Sequence, residues 1–131
     1  MGATQGYIYD DSFTADSALA QYRVVVRGGT KGHAKYPAAQ DAASIAGVTQ
    51  HSTSASGDTV LVRRDGLTRL QVASANVTIS VPLRCYDLTG NADRQDAAWV
   101  SGDGVIGYAE EASSASGDII ECWLAIRQLL G

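Results

Sequence analysis

Short runs of apolar residues, most of them β-branched, alternate with turns rich in Gly, Asp and Ser along most of this chain of 131 residues. Such runs occur at residues 24–26, 59–62 and 119–122. Runs of this kind between glycine-bearing turns are typical of strands, and a single domain of ordinary size accommodates all of them. The pattern therefore predicts one all-β domain.

The five letters SASGD occur at residues 54–58 and again sixty residues later. Their flanks agree as well, because IAGVTQ aligns with VIGYAE and brings Gly47 and Gly107 into register. Each copy is typical of a strand, a turn and a strand. The upstream segments align more loosely, with a slip of one residue. We predict an internal duplication with pseudo-repeats at about residues 22–62 and 82–122, arranged as two halves of one barrel or sandwich.

The opening segment MGATQGYIYDDSFTADSALAQ has no sustained hydrophobic period. We therefore predict an extended N-terminal arm over residues 1–21, with a short helical turn over residues 14–21, and a β domain over residues 22–131. The large apolar side chains of the arm either fold back on the core of the chain or dock on a partner. They are Tyr7, Ile8, Tyr9 and Phe13.

Two later runs give more specific expectations. Apolar and polar residues alternate from Val77 to Val81, which predicts a strand with one buried face. Pro82 cannot donate a ladder hydrogen bond, so this strand either ends there or lies at an edge. The run DIIECWLAIRQLL begins with β-branched residues and predicts a strand at least through Leu124.

The formal net charge of −4 argues against a dedicated nucleic-acid-binding protein, which would carry a dense basic surface. The charge is unevenly spread. Residues 1–20 carry −3, residues 21–84 carry +5 from eight basic and three acidic residues, and residues 85–131 carry −6 from two basic and eight acidic residues. Either this is a solvated mixed surface, or the basic part of one copy meets the acidic part of another.

No run approaches the roughly 20 apolar residues that cross a bilayer, and the first residues lack the features of a secretion signal. We expect a soluble protein made in the cytosol. Cys85 and Cys122 have no close spacing and no histidine beside them, which indicates small buried strand residues in a reducing compartment. Whether the two cysteines are paired stays open.

The chain offers few candidates for chemistry, and we predict no catalytic residue, no metal site and no cofactor. His33 and His51 lie in polar turns without the spacing of a metal site and are expected at the surface. The run GGTKGH lacks the length and the following helix of a phosphate loop. Glu110 and Glu111 would face opposite sides of a strand and are interpreted as solubilising charges. The SASGD turns carry too few oxygen ligands for calcium.

Trp99 and Trp123 are candidates for packing or subunit contact, as tryptophans in small β domains most often are. An alternative interpretation is a free-standing carbohydrate-binding β module, in which these two side chains and Tyr108 stack on a sugar. The two interpretations predict different partners for the same aromatic residues.

The order of IAGVTQ, the spacing from Gly47 to the first GD, RRDGLTRLQVA and GVIGYAEEASSASGDIIECWL resembles the small capsid cement or head decoration proteins of tailed bacteriophages. The resemblance covers about residues 22–124 and excludes the arm. It implies a small β-barrel or an open, tulip-like fold. It also implies a non-enzymatic virion protein on the outer capsid surface that clamps neighbouring major capsid subunits, commonly as a homotrimer, with a dimer also possible.

On this interpretation the partners are the major capsid protein and further copies of the chain, with no nucleic acid and no membrane. The contact residues are expected among the apolar residues of the arm, two arginines of the basic middle and the tryptophans. They are Tyr7, Ile8, Tyr9, Phe13, Arg63, Arg64, Trp99 and Trp123.

Overall fold

A computed structural model describes residues 8–38, 44–94 and 104–128 of the chain. Within these three ranges there are nine strands and no helix, which confirms the predicted all-β class. The strands are β1 (Tyr9–Ala15), β2 (Val24–Arg27), β3 (His33–Lys35), β4 (Ile45–Thr49), β5 (Thr59–Gln71), β6 (Pro82–Cys85), β7 (Ala92–Arg94), β8 (Gly104–Ala109) and β9 (Ile119–Gln128).

The first five strands close into a small barrel, as predicted. Their order is β1–β3–β2–β4–β5, and β5 pairs again with β1. β1 runs parallel to β3, whereas the other neighbours in this ring are antiparallel. Mostly small and β-branched side chains fill the inside, because five strands enclose little space. This first core consists of Phe13, Ala15, Leu19, Val25, Ala34, Ala46, Val60 and Val62.

The other strands extend the sheet into a second half that begins on the same strand. β5 has 13 residues, and its last part, from Gly66 to Gln71, pairs with β9. The order then continues β9–β8–β6–β7. A parallel bridge between Val72 and Ala92 brings β7 back to the residue that follows β5. β5 therefore belongs to both halves.

The second half repeats the strand pairing of the first. Val48 on β4 lies opposite Arg63 on β5, and sixty residues later Tyr108 on β8 lies opposite Trp123 on β9. Upstream, β6 begins 58 residues after β2 (82 minus 24), so the slip there is two residues rather than the one predicted.

The two SASGD turns close the two halves at equivalent corners. In each turn, Oδ2 of the aspartate accepts two backbone N–H groups at the start of the motif, at 3.0 and 3.1 Å for Asp58 and at 2.7 and 3.1 Å for Asp118. The glycine N–H of the first turn then donates to the carbonyl of Ala15 at 2.8 Å, and that of the second to the carbonyl of Val72 at 2.9 Å. The motif is written twice because each half needs the same closing corner.

Gly47 and Gly107 stand where two strands approach too closely for a side chain. A Cβ at Gly47 would overlap the carbonyl oxygen of Arg63, and a Cβ at Gly107 would overlap that of Trp123. Each glycine also lies beside a register shift of its strand pair, β2–β4 or β8–β9. The two glycines that the sequence places in register thus have the same structural role.

The core of the second half reaches across to the barrel. It contains Val24, Ile45 and Val48, which are carried by β2 and β4. Because neighbouring side chains alternate between the faces of a strand, β4 sends Ala46 into the barrel and Ile45 into the second core. The two halves are therefore packed against each other through shared strands. The residues that the second half contributes are Leu70, Val72, Val77, Leu83, Cys85, Ala92, Ile106, Ala109, Ile120, Cys122 and Leu124.

The N-terminal segment differs from the extended arm that the sequence predicts. Residues 9–15 form β1 in the barrel wall, and the side chain of Phe13 is only 5% exposed. The helical turn over residues 14–21 does not form. Ala20 instead donates its N–H to the hydroxyl of Tyr36 at 2.8 Å, so a distant side chain satisfies backbone that a helix would satisfy internally.

The strand predicted from Val77 is wrong in its first part, since β6 begins only at Pro82. Ile79 is 65% exposed, and Ser80 has a φ of 72°, which places both in a turn. Pro82 is tolerated because the first residue of a strand needs no ladder N–H, although β6 lies between β7 and β8 and is not an edge. The prediction of a strand through Leu124 is confirmed by β9.

Candidate functional site

A row of four apolar or aromatic side chains crosses the outer face of the second half. Leu67 on β5 lies opposite Trp123 on β9, which lies opposite Tyr108 on β8, and Tyr108 in turn lies opposite Pro82 on β6. Directly opposed residues share a face, and each of the four is partly exposed. Neighbouring strands are about 4.8 Å apart, so the row spans about 14 Å. We call these four residues the apolar strip.

The equivalent row of the first half is built from different residues. It consists of Asp10, Arg63, Val48 and Val24, paired across β1, β5, β4 and β2. Asp10 and Arg63 form a two-point ion pair at 2.7 and 3.1 Å, and this hydrogen bonding raises the pKa of Arg63. Val24 and Val48 are fully buried, because the second half packs over them. Two of the four positions are thus fully covered in the first half, whereas all four are partly exposed in the second.

Carboxylates lie along one side of the apolar strip. Glu121 follows the outer face of β9 two residues before Trp123, and its carbonyl accepts the N–H of Glu110 at 2.8 Å. Glu111 is close by, since its Oε1 accepts the N–H of Glu121 at 2.7 Å. The corresponding residues of the first half, sixty positions earlier, are Gln50, His51 and Leu61. We call Glu110, Glu111 and Glu121 the acidic rim, which is a feature of the second half only.

The first half presents cations instead. Arg27, Lys31 and Lys35 are exposed on β2, on β3 and on the turn between them. None of the three has an ion-pair partner among the residues that the structure describes. We call them the basic hairpin. The uneven charge of the sequence therefore places an exposed basic surface on one half and an acidic rim on the other.

A groove of about 280 Å³ runs along β5 where the two halves meet, and the apolar strip ends in it at Leu67. Tyr22 also lines this groove and has a φ of 61°, which a bulky residue rarely adopts. Its N–H donates to the carbonyl of Thr49 at 2.9 Å, and its carbonyl accepts the N–H of Gln71 at 2.9 Å. These two bonds tie strands of both halves together and account for the strained backbone without a ligand.

The structure separates the residues that the sequence predicts at an interface. Ile8 and Tyr9 are accessible, with 46% and 44% of their surface exposed. Phe13 lies in the first core and is not available for a contact. Arg63 and Arg64 both pair with aspartates of β1, and the Arg64 guanidinium lies 5.9 Å from the centre of the Phe13 ring. Both arginines therefore link β5 to β1 in the barrel wall.

Trp123 lies in the apolar strip beside Tyr108, so two of the three aromatic residues considered for sugar stacking are neighbours. Tyr7 and Trp99, which the sequence analysis also places at an interface, lie outside the described residues. The role of Trp123 and the other accessible residues at an interface stays a prediction.

Sequence reasoning missed Leu67 and Pro82 as surface residues, although a signal was present. The alignment at an offset of sixty sets Trp123 against Arg63 and Tyr108 against Val48. An ion-paired position in one repeat that becomes aromatic in the other marks a change of environment. The positions at which the two repeats differ in this way identify Trp123 and Tyr108 of the strip.

Several of the described titratable side chains form hydrogen bonds at turns and strand ends. His33 binds the carboxylate of Asp16 at 2.6 Å. The Nε2 atom of His51 accepts the backbone N–H of Leu61 at 3.1 Å. In the second half Glu111 has the same role, because it accepts the N–H of Glu121. Glu110 and Glu111 follow β8 in a bend rather than lying on a strand. Within the described ranges there is no group of three or more His, Cys, Asp or Glu that could hold a metal ion, and no helix that could cross a membrane.

Local hydrogen bonds and burial perturb the pKa of three groups in these motifs. The backbone N–H groups that the two SASGD turns direct at Asp58 and Asp118 hold the pKa of each carboxyl below its ordinary value. Burial, with a smaller contribution from Glu110, raises the pKa of Cys122 to about 12. Cys85 and Cys122 are both buried, as the sequence predicts for small strand residues, and no disulfide joins them.

The sequence matches no protein-family model and no curated protein. Its fold is similar to that of a solved structure described as the head fiber gp8.5 N base in bacteriophage phi29, with a TM-score of 0.65 and 17% sequence identity. The match covers 91% of this chain and 95% of that chain. The likeness therefore extends beyond the barrel and includes both halves of the fold.

Proposed function

We propose that this chain is a non-enzymatic structural protein of a bacteriophage virion, made in the host cytoplasm and carried on the outer surface of the head. The observation that carries the proposal is the fold match, over 91% of the chain, to the N base of a phage head fiber. The duplicated glycine pattern that resembles head decoration proteins is an independent argument for the same function. The proposed partners are the major capsid protein and further copies of the chain, as a homotrimer.

We assign the contact with the major capsid protein to the start of β1. Ile8 and Tyr9 are two of the exposed large apolar residues, and they lie next to each other. Burial of a large apolar side chain favours binding by about 1.5–3 kcal/mol, less the cost of ordering it. Many copies with such modest contacts would clamp neighbouring capsid subunits through multivalent attachment.

The test uses particles from a culture that carries the gene for this chain. Mass spectrometry of purified particles is expected to detect the chain, and deletion of the gene is expected to yield heads that disrupt at a lower temperature. The purified chain is then added back to the deletion particles and its binding is measured by co-sedimentation.

Ile8→Asp with Tyr9→Asp is expected to bind the deletion particles at least about tenfold more weakly than the unchanged chain. Leu88→Asp is the matched control, because Leu88 is 58% exposed but lies in the β6–β7 connection. Particles that lack the chain, or deletion particles that do not bind it, would rule out the proposed function.

A carbohydrate-binding module is a second candidate, favoured by the neighbouring Trp123 and Tyr108 in the apolar strip. Calorimetric titration with soluble glycans distinguishes the two. Glycan binding that is lost on Trp123→Ala, together with no association with particles, would favour this second candidate.

A further inference from the structure

We propose that the apolar strip and its acidic rim bind the basic hairpin of a second copy of this chain, in a head-to-tail contact between the second half of one copy and the first half of the next. The proposal adds a defined surface to the proposed function. It is tested on the purified chain without any virus particle, so that each of the two can fail alone.

The repeat supplies the first argument, because it shows what this face of the fold does when it is covered. In the first half, Val24 and Val48 occupy the row and are fully buried beneath another copy of the repeat. In the second half, Pro82 and Tyr108 occupy the same positions, and no described part of the chain buries them fully. A contiguous row of partly exposed apolar side chains on a sheet face is typical of an interaction site.

The ion pair of the first half supplies the second argument. Asp10 and Arg63 satisfy each other on the outer face of the barrel, where water reaches them. Leu67 and Trp123 replace this pair in the second half, and Trp is strongly enriched at the centre of protein interfaces. The substitution of an ion pair by two apolar residues is expected only where that face is to be removed from water.

Charge identifies the occupant as a second copy. The acidic rim lies beside the strip, and the basic hairpin of the first half carries three exposed cations without partners among the described residues. Opposite charges favour a defined docking of these two surfaces. A symmetric contact of strip against strip would leave the acidic rims and the basic hairpins of both copies without an opposite charge to meet, so we infer a head-to-tail contact.

A head-to-tail contact also determines which assemblies the chain can form. A head-to-tail contact between identical copies closes into a ring when the rotation allows it and otherwise continues as a filament. Each copy in a ring then uses both of its surfaces, one on each half. Each chain therefore carries both contact surfaces, the apolar strip with its acidic rim on the second half and the basic hairpin on the first half.

The first test changes the strip in a way that the fold already tolerates. Leu67→Asp with Trp123→Arg writes the Asp10–Arg63 pair of the first half into the second half, at the same paired positions. The unchanged chain is expected to self-associate in sedimentation velocity at roughly 1–100 µM, and this strip variant to be monomeric or at least about tenfold weaker. Leu88→Asp, an exposed apolar position outside the strip, is expected to associate as the unchanged chain does.

The second test separates a head-to-tail contact from a symmetric one. A hairpin variant with Arg27→Glu, Lys31→Glu and Lys35→Glu keeps its strip, whereas the strip variant keeps its hairpin. Each is expected to be monomeric alone, while an equimolar mixture is expected to form a one-to-one dimer and nothing larger. Circular dichroism and thermal unfolding of both variants check that each is folded.

Several results would overturn the proposal. An unchanged chain that stays monomeric over this concentration range would do so. So would a hairpin variant that still associates alone, because the contact would then be symmetric or lie elsewhere. Folded variants that do not recombine in the mixture would show that the strip and the hairpin are not each other's partners. Association that does not weaken when the salt concentration rises from about 50 to 500 mM would exclude the charge argument.

Discussion

Replacement of Gly107 by alanine is expected to destabilise the fold strongly, because β8 and β9 touch backbone to backbone at this residue. An added Cβ would overlap the carbonyl oxygen of Trp123 and would also lie 2.9 Å from its carbonyl carbon and 3.0 Å from the N of Ala125. These are backbone atoms, so no flexible side chain can move aside. Relief requires the two strands to separate by roughly 1 Å, given an ordinary carbon–oxygen contact of about 3.3 Å.

The magnitude follows from what that separation breaks. β8 pairs with β9 on both sides of the contact, and the loss of about one ladder hydrogen bond on each side would cost about 2 kcal/mol. Overpacking of a well-packed region adds about 1–3 kcal/mol. The free energy of unfolding is therefore expected to fall by about 3–5 kcal/mol, a large share of the 5–15 kcal/mol that is typical of a domain. At about 4 °C for each kcal/mol, Tm falls by roughly 12–20 °C.

The assay is thermal unfolding followed by circular dichroism, with two glycine controls in the same chain. Gly29→Ala has open space around it and no positive φ, so its Tm should change little. Gly117→Ala also has open space but a φ of 89°, which costs about 1 kcal/mol and predicts a Tm lower by about 4 °C. A Tm for Gly107→Ala within about 2 °C of that for Gly29→Ala would refute the close approach of the two strands.

Three further predictions concern the corner motifs and the core. Because the pKa of Asp58 and of Asp118 is lowered in the folded state, the stabilisation from each is complete above the unfolded-state pKa of about 3.9 and is lost as pH falls through the lower folded value. Asp58→Asn with Asp118→Asn should therefore lower Tm at pH 7 and flatten the decline of Tm on acidification, and an unchanged acid profile would contradict this. His51→Ala should lower the free energy of unfolding by about 1 kcal/mol in chemical denaturation. His51→Glu introduces the acceptor that Glu111 provides in the second repeat and should restore most of this loss. Equal losses in the two variants would contradict the equivalent roles of His51 and Glu111. Cys85 and Cys122 are buried and the Cys122 pKa is raised to about 12, so a thiol reagent at pH 8 should label neither in the folded chain and both in denaturant; fast labelling of the native chain would show that this core is open.

The sequence predicts those parts of the fold that local chemistry determines. The two SASGD corners need a glycine with positive φ and a carboxylate that accepts backbone N–H groups, and both requirements are written in the motif itself. Gly47 and Gly107 are likewise visible as a pair at a fixed offset. The all-β class and the duplication follow from such local signals.

Long-range pairing determines the features that the sequence did not predict. β1 belongs to the barrel because its backbone pairs with β3 and β5, and neither partner is adjacent in sequence. The alternation from Val77 to Val81 suggested a strand, yet a turn at Ser80 interrupts it. The run bonds to β8 only at its end, where Ser80 and Val81 exchange backbone hydrogen bonds with Ala109. Period-two patterning identifies an exposed and a buried side only where a neighbouring strand exists.

The apolar strip illustrates the same limit for the site. Trp123 was predicted as an interface residue on composition, whereas Leu67 and Pro82 join it only through cross-strand pairing over β5, β9, β8 and β6. Whether that row is covered depends on how the two halves pack, which the sequence of one repeat does not encode. The comparison of both repeats in the folded chain provides this information.

The most direct test of the account is a cryo-electron microscopy reconstruction of particles from a culture that carries this gene. We expect density for the chain on the outside of the head, with the apolar strip of each copy covered by the basic hairpin of its neighbour. A head without this density, or a bound chain whose Leu67, Trp123 and Tyr108 face open solvent, would contradict the account.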